Sequence, residues 1–217
     1  MTWLKKNAIA LLWFFIWIIV LPFTFPAYGT NNNVYSNLIF YAGLIAFVVI
    51  QRRKLFDEKS WSSLKNKKVW LSIFLAIVAL VLAYCIAEFI ISLFPNVPTG
   101  WGKMKCVGWL GVISFALSTV FLPPIAEELF FRQSLIVINS TKMAMLVTAS
   151  FSVILFGLEH SLLPLGFMEG ALIGIVFTVM YVKTKNIMVT VMAHFITNAV
   201  INGFSTIIFM IQLLTSK

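Results

Sequence analysis

The fold class of this chain is decided by one long run, VGWLGVISFALSTVFLPPIAEELFFRQSLIVIN, which extends from Val107 to Asn139. A helix needs about 20 mainly apolar residues to cross the hydrocarbon core of a membrane, and this run is longer than that. Two adjacent prolines and the charged residues Glu127, Glu128 and Arg132 interrupt it. The run therefore predicts a membrane-spanning helix with polar groups placed inside it.

The rest of the chain has the same character. Its 217 residues are 61% hydrophobic and 11% charged, and the mean hydropathy is +0.99. In a soluble domain roughly a quarter of all residues are charged. The length allows about seven or eight crossings joined by short loops. We therefore predict an all-α fold, a polytopic membrane helical bundle with about seven or eight transmembrane helices.

Seven apolar runs, separated by short polar breaks, each predict one crossing. They are Ala8 to about Ala27, about Ser36 to Ile50, Val69 to Phe94, Val107 to about Asn139, Met143 to about Leu163, Gly166 to Val182 and Ile187 to Leu214. The first run is long and lacks a convincing cleavage site, which favours a retained helix over a signal peptide. The last run contains Asn202 and Gly203, so it predicts either one tilted helix or a helix with a broken end.

The net charge of +9 does not indicate a nucleic-acid partner, because the cationic residues lie in short segments between the apolar runs. A charged loop at about 51–68 is predicted to face the cytoplasm. This orientation puts the N-terminus in the cytoplasm and makes the chain a multi-pass protein of the cell membrane. Lys103, Lys105 and Lys217 do not follow the pattern, and the side of the C-terminus stays open.

Ionisable residues inside the apolar runs are the main functional signal. They comprise five of the seven acidic residues and both histidines: Glu88, Glu127, Glu128, Glu159, Glu169, His160 and His194. An ionisable side chain at the bilayer centre costs several kcal/mol even on insertion scales, so such residues usually line a cavity and have a partner. The sequence predicts a polar site within the membrane domain.

The first motif is the acidic pair that follows Pro123 and Pro124. The prolines cannot donate helical hydrogen bonds and so free backbone carbonyls. Glu128 and Arg132 are four residues apart and can pair along one helical face, whereas Glu127 is rotated by about 100° from its neighbour. Glu127 is thus the available carboxylate, in a setting that suits a general base acting on water. A clamp between arginine and glutamate that locks two helices is the structural alternative, and it accounts for only one of the two acids.

Two further motifs each contain one histidine. Phe156 and His160 lie one turn apart on one helical face, as do His194 and Asn198. An imidazole with a carboxamide on one face is suited to hydrogen-bonding a substrate carbonyl or a developing oxyanion. A lone membrane histidine is more often a packing residue. The three motifs together, with both histidines of the chain, favour function.

These motifs, in this order on three successive apolar runs, resemble the CPBP (CaaX protease and bacteriocin-processing, or Abi) intramembrane proteases. The motifs are Glu127-Glu128-x-x-x-Arg132, Phe156-x-x-x-His160 and His194-x-x-x-Asn198. That family includes the Ras-converting CaaX prenyl endoproteases and bacterial proteins linked to bacteriocin processing or immunity. The resemblance covers roughly Val107 to Phe204.

The resemblance implies a catalytic role for four residues. Glu127 would activate a water with the help of His160, and His194 with Asn198 would stabilise the tetrahedral oxyanion. The expected activity is an intramembrane endopeptidase whose substrate is a peptide or a membrane protein in the lipid bilayer. Whether the substrate is prenylated is left open, as is the oligomeric state, with which a dimer is compatible.

The resemblance also implies that Glu128 and Arg132 shape the site. Glu159 and Glu169 lie outside the family pattern; Glu159 is either a partner of His160 or a residue at the membrane surface, and neither acid is given a role. The domain organisation follows from where the motifs lie. Residues 1–100 contribute transmembrane helices and the cytoplasmic loop, residues 107–204 form the CPBP-like catalytic core, and both belong to one membrane domain.

The sequence leaves two alternatives for the mechanism, one that depends on zinc and one that needs no metal. Glu127, His160 and His194 would make a two-histidine, one-carboxylate zinc set with an open position for water, as the metalloprotease designation of the family implies. However, the zincin spacing of two histidines four residues apart is absent from the sequence. A water activated by a glutamate needs no ion. The mechanism that we favour requires no cofactor, and zinc is the alternative.

Two other functions compete with proteolysis. A non-catalytic protein for bacteriocin immunity, or one that binds a partner in the membrane, would also keep a polar cavity. A secondary transporter is disfavoured because no inverted repeat is visible. One geometric point counts against a shared site: the predicted helix ends put His160 roughly 10 Å deeper than Glu127 and His194. Either the ends are wrong by a turn or two, or the proline- and glycine-bearing segments bring the groups level.

Overall fold

The computed structural model describes residues 3–24, 32–52, 55–100 and 106–215, and every regular element among them is helical. The all-α prediction is confirmed. The helices are α1 (Trp3–Thr24), α2 (Asn32–Arg52), α3 (Glu58–Ser63), α4 (Lys67–Ser92), α5 (Gly108–Ser134), α6 (Lys142–His160), α7 (Pro164–Thr184) and α8 (Ile187–Thr215).

The polytopic character is confirmed as well. Six helices among the described residues, α2 and α4 to α8, are long and apolar enough to cross a membrane. Helix α1 has 22 residues and is also of sufficient length. Helix α8 continues unbroken for 29 residues, so of the two predicted alternatives the structure has the single helix and not the broken end. Its axial length of about 43 Å exceeds a hydrocarbon core of about 30 Å. The predictions that rest on Lys103, Lys105 and Lys217 lie outside the described residues.

The short helix α3, inside the charged loop, was not predicted because its six residues show no usable period. Asp57 caps its N-terminus by accepting hydrogen bonds from the Ser60 N–H at 2.7 Å and from the Ser60 hydroxyl at 2.6 Å. These bonds hold the pKa of the exposed Asp57 carboxyl below its usual value.

The chain divides into two compact units, Met1–Leu55 with Gly102–Glu127 and His194–Lys217, and Phe56–Trp101 with Glu128–Ala193. In the first unit α1 packs on α2 through aromatic side chains. The rings of Trp17 and Phe40 stack with centroids 4.6 Å apart, and the Trp13 indole donates a hydrogen bond to the Phe40 carbonyl at 3.0 Å. A Cβ on Gly43 would come within 2.5 Å of that indole, so only glycine permits this approach. The prediction of one membrane domain stays a prediction.

In the second unit α7 packs against α4 and α6. The close approach of α6 and α7 depends on glycine. A Cβ added to Gly170 would lie 2.8 Å from the Cβ of His160, and one added to Gly174 would lie 3.0 Å from the ring of Phe156. These glycines therefore bring the backbone of α7 against the face of α6 that carries the F-x-x-x-H motif.

Helix α5 departs from α-helical geometry at two segments. Residues Leu117–Phe121 and Glu128–Ser134 are π-helical, and Leu122–Glu127 between them is α-helical. In the first π segment the Leu122 N–H bonds to the Leu117 carbonyl, five residues back. Such segments are rare and often mark functional sites. Here the first one precedes the two prolines that interrupt the hydrogen-bond ladder.

Candidate active site

Two motif residues of the first unit face each other. Glu127 is 2% exposed and ends the α-helical part of α5, and His194 is 6% exposed on α8. The Oε2 atom of Glu127 lies 3.9 Å from the Nε2 atom of His194. This distance is too long for a direct hydrogen bond. Two buried ionisable groups thus approach each other at a separation that a small molecule can bridge.

Asn198 lies one turn beyond His194, and its carboxamide is engaged with the backbone. Its Nδ2 donates to the Thr119 carbonyl at 3.0 Å, and Nδ2 of Asn202 donates to the same oxygen at 3.2 Å. The Thr119 carbonyl would bond the N–H of residue 123 in an α-helix and that of residue 124 in a π-helix, and both residues are prolines. The proline pair therefore creates the acceptor that the two asparagines bind.

The predicted pairing of Glu128 with Arg132 is confirmed. The Arg132 Nη1 atom lies 3.3 Å from a Glu128 carboxylate oxygen, and both side chains are fully buried. Arg132 also donates from Nη2 to the Gly174 carbonyl of α7 at 3.3 Å. Its guanidinium carbon lies 4.2 Å from the ring centre of Phe156 and 5.1 Å from that of Phe177. The alternative of a clamp that joins helices fits this pair.

His160 is the last residue of α6, three residues closer to the helix end than the predicted boundary implied. Its Nδ1 atom lies 2.9 Å from the Phe156 carbonyl oxygen and 2.7 Å from a carboxylate oxygen of Glu159. Both neighbours are acceptors, so Nδ1 carries a hydrogen, and in the neutral form of the ring Nε2 is the basic nitrogen. The Phe156 ring contacts the His160 ring, with centroids 4.4 Å apart. Phe156 thus contacts both the guanidinium of Arg132 and the imidazole of His160.

The structure brings the predicted site residues together in two sets. Glu127, His194 and Asn198 belong to the first unit, while Glu128, Arg132 and His160 belong to the second. Each set has an internal geometry of its own. The prediction that Glu127, His160 and His194 share one centre, with or without zinc, stays a prediction.

Two polar residues that the sequence left without a role make site contacts. Glu159 accepts from His160, and Asn202 shares the Thr119 carbonyl with Asn198. In the sequence Glu159 is visible as an acid directly before the motif histidine, but the sequence alone did not decide its role. Asn202 was noted only as an interruption of the last apolar run. The spacing of Asn198 and Asn202, one turn apart, was the available signal, together with the proline pair. Glu169 is buried on α7 at 6% exposure.

A family model described as "Type II CAAX prenyl endopeptidase Rce1-like" matches residues 109–200. This segment belongs to that family. The resemblance to the CaaX proteases is thereby confirmed, and the chain is a multi-pass membrane protein in which residues 109–200 match the CAAX endopeptidase family model. No curated protein and no solved structure matches the chain significantly.

The matched segment contains all three motifs, from the acidic pair on α5 to Asn198 on α8. It begins within α5 and ends within α8, so α1 to α4 lie outside it. The family is one of proteases, so the match supports protease activity at the level of the family. Metal dependence and bacteriocin immunity are separate properties, and the match does not bear on them.

Proposed function

We propose that this chain is an intramembrane endopeptidase that hydrolyses a peptide bond of a peptide or membrane-anchored substrate with a water activated by Glu127. The observation that carries this proposal is the buried pair of Glu127 and His194, whose facing atoms are 3.9 Å apart. The protease family of residues 109–200 supports the reaction class. The observed gap suits a water, because one oxygen can lie about 2.8 Å from both atoms.

The reaction then proceeds by general base catalysis. Glu127 takes a proton from the water as the water oxygen bonds to the scissile carbonyl carbon, and the carbonyl electrons move onto its oxygen. His194 and Asn198 donate hydrogen bonds to this oxyanion. Collapse of the intermediate breaks the C–N bond, and Glu127 passes its proton to the leaving amine. Within a desolvated site these interactions are stronger than in water.

His160 assists through its basic Nε2 nitrogen. Because Nδ1 faces the Glu159 carboxylate and the Phe156 carbonyl, the ring is fixed in the tautomer that can accept a proton at Nε2. The Phe156 ring, against which the imidazole lies, limits its rotation. Glu128 and Arg132 shape the site indirectly, since the Arg132 guanidinium also contacts the Phe156 ring.

The version of the mechanism without a metal is the one that we propose. A tetrahedral zinc with ligands at about 2.0–2.1 Å would set two of its ligand atoms roughly 3.3 Å apart. The Glu127 and His194 atoms are 3.9 Å apart, which is wider than that arrangement. The zinc set of Glu127, His160 and His194 remains the alternative. Retention of cleavage after chelation, with metal analysis of the purified protein, supports the proposal, and loss restored by zinc contradicts it.

The main test compares variants of the purified protein in detergent, using a quenched peptide library and a membrane-anchored reporter. Glu127→Gln, His160→Ala and His194→Ala are expected to abolish cleavage while retaining the thermal unfolding of the wild type. Glu88→Gln is the matched control, because Glu88 is an exposed acid on the membrane helix α4, outside the motifs.

Two outcomes would overturn the proposal. One is cleavage that survives Glu127→Gln at the level of Glu88→Gln. The other is a cellular protection effect that persists in all three motif variants while no variant, and no wild-type preparation, cleaves either substrate. The second result would assign the chain to the non-catalytic binding alternative.

A further inference from the structure

We propose that Asn202 is a positioning residue of the active site, which holds the Thr119 carbonyl while Asn198 turns its carboxamide toward the oxyanion. This inference rests on the proposed function. It concerns a residue outside the three motifs and outside the matched segment, which ends at residue 200.

The Thr119 carbonyl needs a donor from elsewhere in the protein. It lies in the π-helical segment Leu117–Phe121, where the backbone nitrogens three, four and five residues further along the helix belong to Leu122, Pro123 and Pro124. The Leu122 N–H is used by the Leu117 carbonyl, and the prolines have no N–H. Thr119 is 9% exposed, so within a membrane span water cannot supply the missing bond easily.

Two donors serve this one oxygen, Asn198 at 3.0 Å and Asn202 at 3.2 Å. A carbonyl oxygen has two lone pairs and can accept both bonds at once. If only Asn198 were present, its departure to an oxyanion would leave a buried acceptor unpaired, which opposes the catalytic step. With Asn202 in place the carbonyl keeps one bond throughout, so Asn198 can change partner at small cost.

The proposal predicts an effect on turnover more than on substrate binding. Asn202→Leu removes the donor at similar volume, and kcat is expected to fall about tenfold, equal to ~1.4 kcal/mol, with KM changed less than about twofold. Asn202→Gln keeps a carboxamide donor and is expected to recover part of the rate. Thr206→Val is the matched control, because among the described residues its hydroxyl bonds only the Asn202 carbonyl of its own helix, at 2.8 Å.

A second measurement does not depend on activity. Thermal unfolding in detergent of Asn198→Leu, Asn202→Leu and the double variant forms a cycle. Each single variant leaves one donor, and the double variant leaves none. The fall in melting temperature of the double variant is therefore expected to exceed the sum of the two single falls.

The outcomes separate the two proposals. Wild-type protein that cleaves, with Asn202→Leu equal to Thr206→Val in kcat, overturns the role of Asn202 alone. Additive falls in melting temperature, or a change confined to KM, overturn it too. Wild-type protein that cleaves nothing overturns the proposed function, and the positioning role of Asn202 with it, even where the cycle shows coupling.

Discussion

The buried pair of Glu128 and Arg132 allows a specific prediction of how much stability is lost when one partner is removed. Glu128→Met leaves the Arg132 guanidinium fully buried with its carboxylate removed. Breaking one side of a buried ion pair typically costs about 3–5 kcal/mol, whereas replacing both partners with apolar residues is often close to neutral. Arg132 keeps its bond to the Gly174 carbonyl and its contact with Phe156, which places the expected loss near the lower figure.

The assay is thermal unfolding in detergent, followed by tryptophan fluorescence. A loss of about 3–5 kcal/mol corresponds to a fall in melting temperature of roughly 6 to 20 °C for a chain of this size. The double variant Glu128→Met with Arg132→Met is expected to recover at least half of that fall. Glu88→Met, at an exposed position on α4, controls for loss of one acid.

Recovery of stability in the double variant does not restore the site. Without the guanidinium, the Phe156 ring loses a contact at 4.2 Å. The same ring packs against His160, so the position of the imidazole is held less firmly. The double variant is therefore expected to be stable and slow in cleavage. The reasoning is refuted if Glu128→Met has the same melting temperature as Glu88→Met, or if the double variant is no more stable than Glu128→Met alone.

Three further predictions follow from the geometry. Gly170→Ala puts a Cβ 2.8 Å from that of His160 and is expected to lower both melting temperature and cleavage. Gly203→Ala, whose Cβ would meet no described residue within 4 Å, is expected to be neutral or slightly stabilising, and equal effects of the two variants would contradict this. Glu159→Ala is expected to shift the His160 ring toward the Nε2–H tautomer, as seen in ¹⁵N NMR spectra. Glu159→Gln is expected to retain the wild-type tautomer. An unchanged spectrum in both variants would argue against the contact between Glu159 and His160. Because the pKa of Asp57 is lowered, its cap stabilises α3 above the usual carboxyl pKa, and this stability is lost as the pH falls through the lowered pKa. Amide exchange in α3 is therefore expected to rise over that pH range in the wild type. In Asp57→Ala it is expected to be high at all pH values.

The two prolines of α5 link the fold to the proposed chemistry. They remove the helical donors for the Thr119 carbonyl and so require donors from α8. This requirement fixes the register of α8 against the first part of α5, because two asparagines one turn apart must reach one oxygen. The same register sets His194 opposite Glu127. A backbone irregularity within the membrane therefore positions the candidate catalytic residues.

The sequence alone determined the helices and the local pairs. Lipid leaves a spanning segment no regular structure with satisfied hydrogen bonds other than a helix or a closed barrel, so apolar runs of sufficient length predict helices. The pairing of Glu128 with Arg132 followed from helical periodicity, since residues four apart share a face. The family resemblance followed from the order of three motifs, which needs no coordinates.

Only the tertiary structure decided which groups on different helices meet. The sequence presented Asn198 as a donor for a substrate, and packing gave it the Thr119 carbonyl with Asn202 as a second donor. Sequence periodicity fixes the face of a residue on its own helix, but the register and rotation of the neighbouring helix depend on side-chain packing. The distance of 3.9 Å between Glu127 and His194 comes from that packing, and it is the geometry on which the proposed mechanism depends.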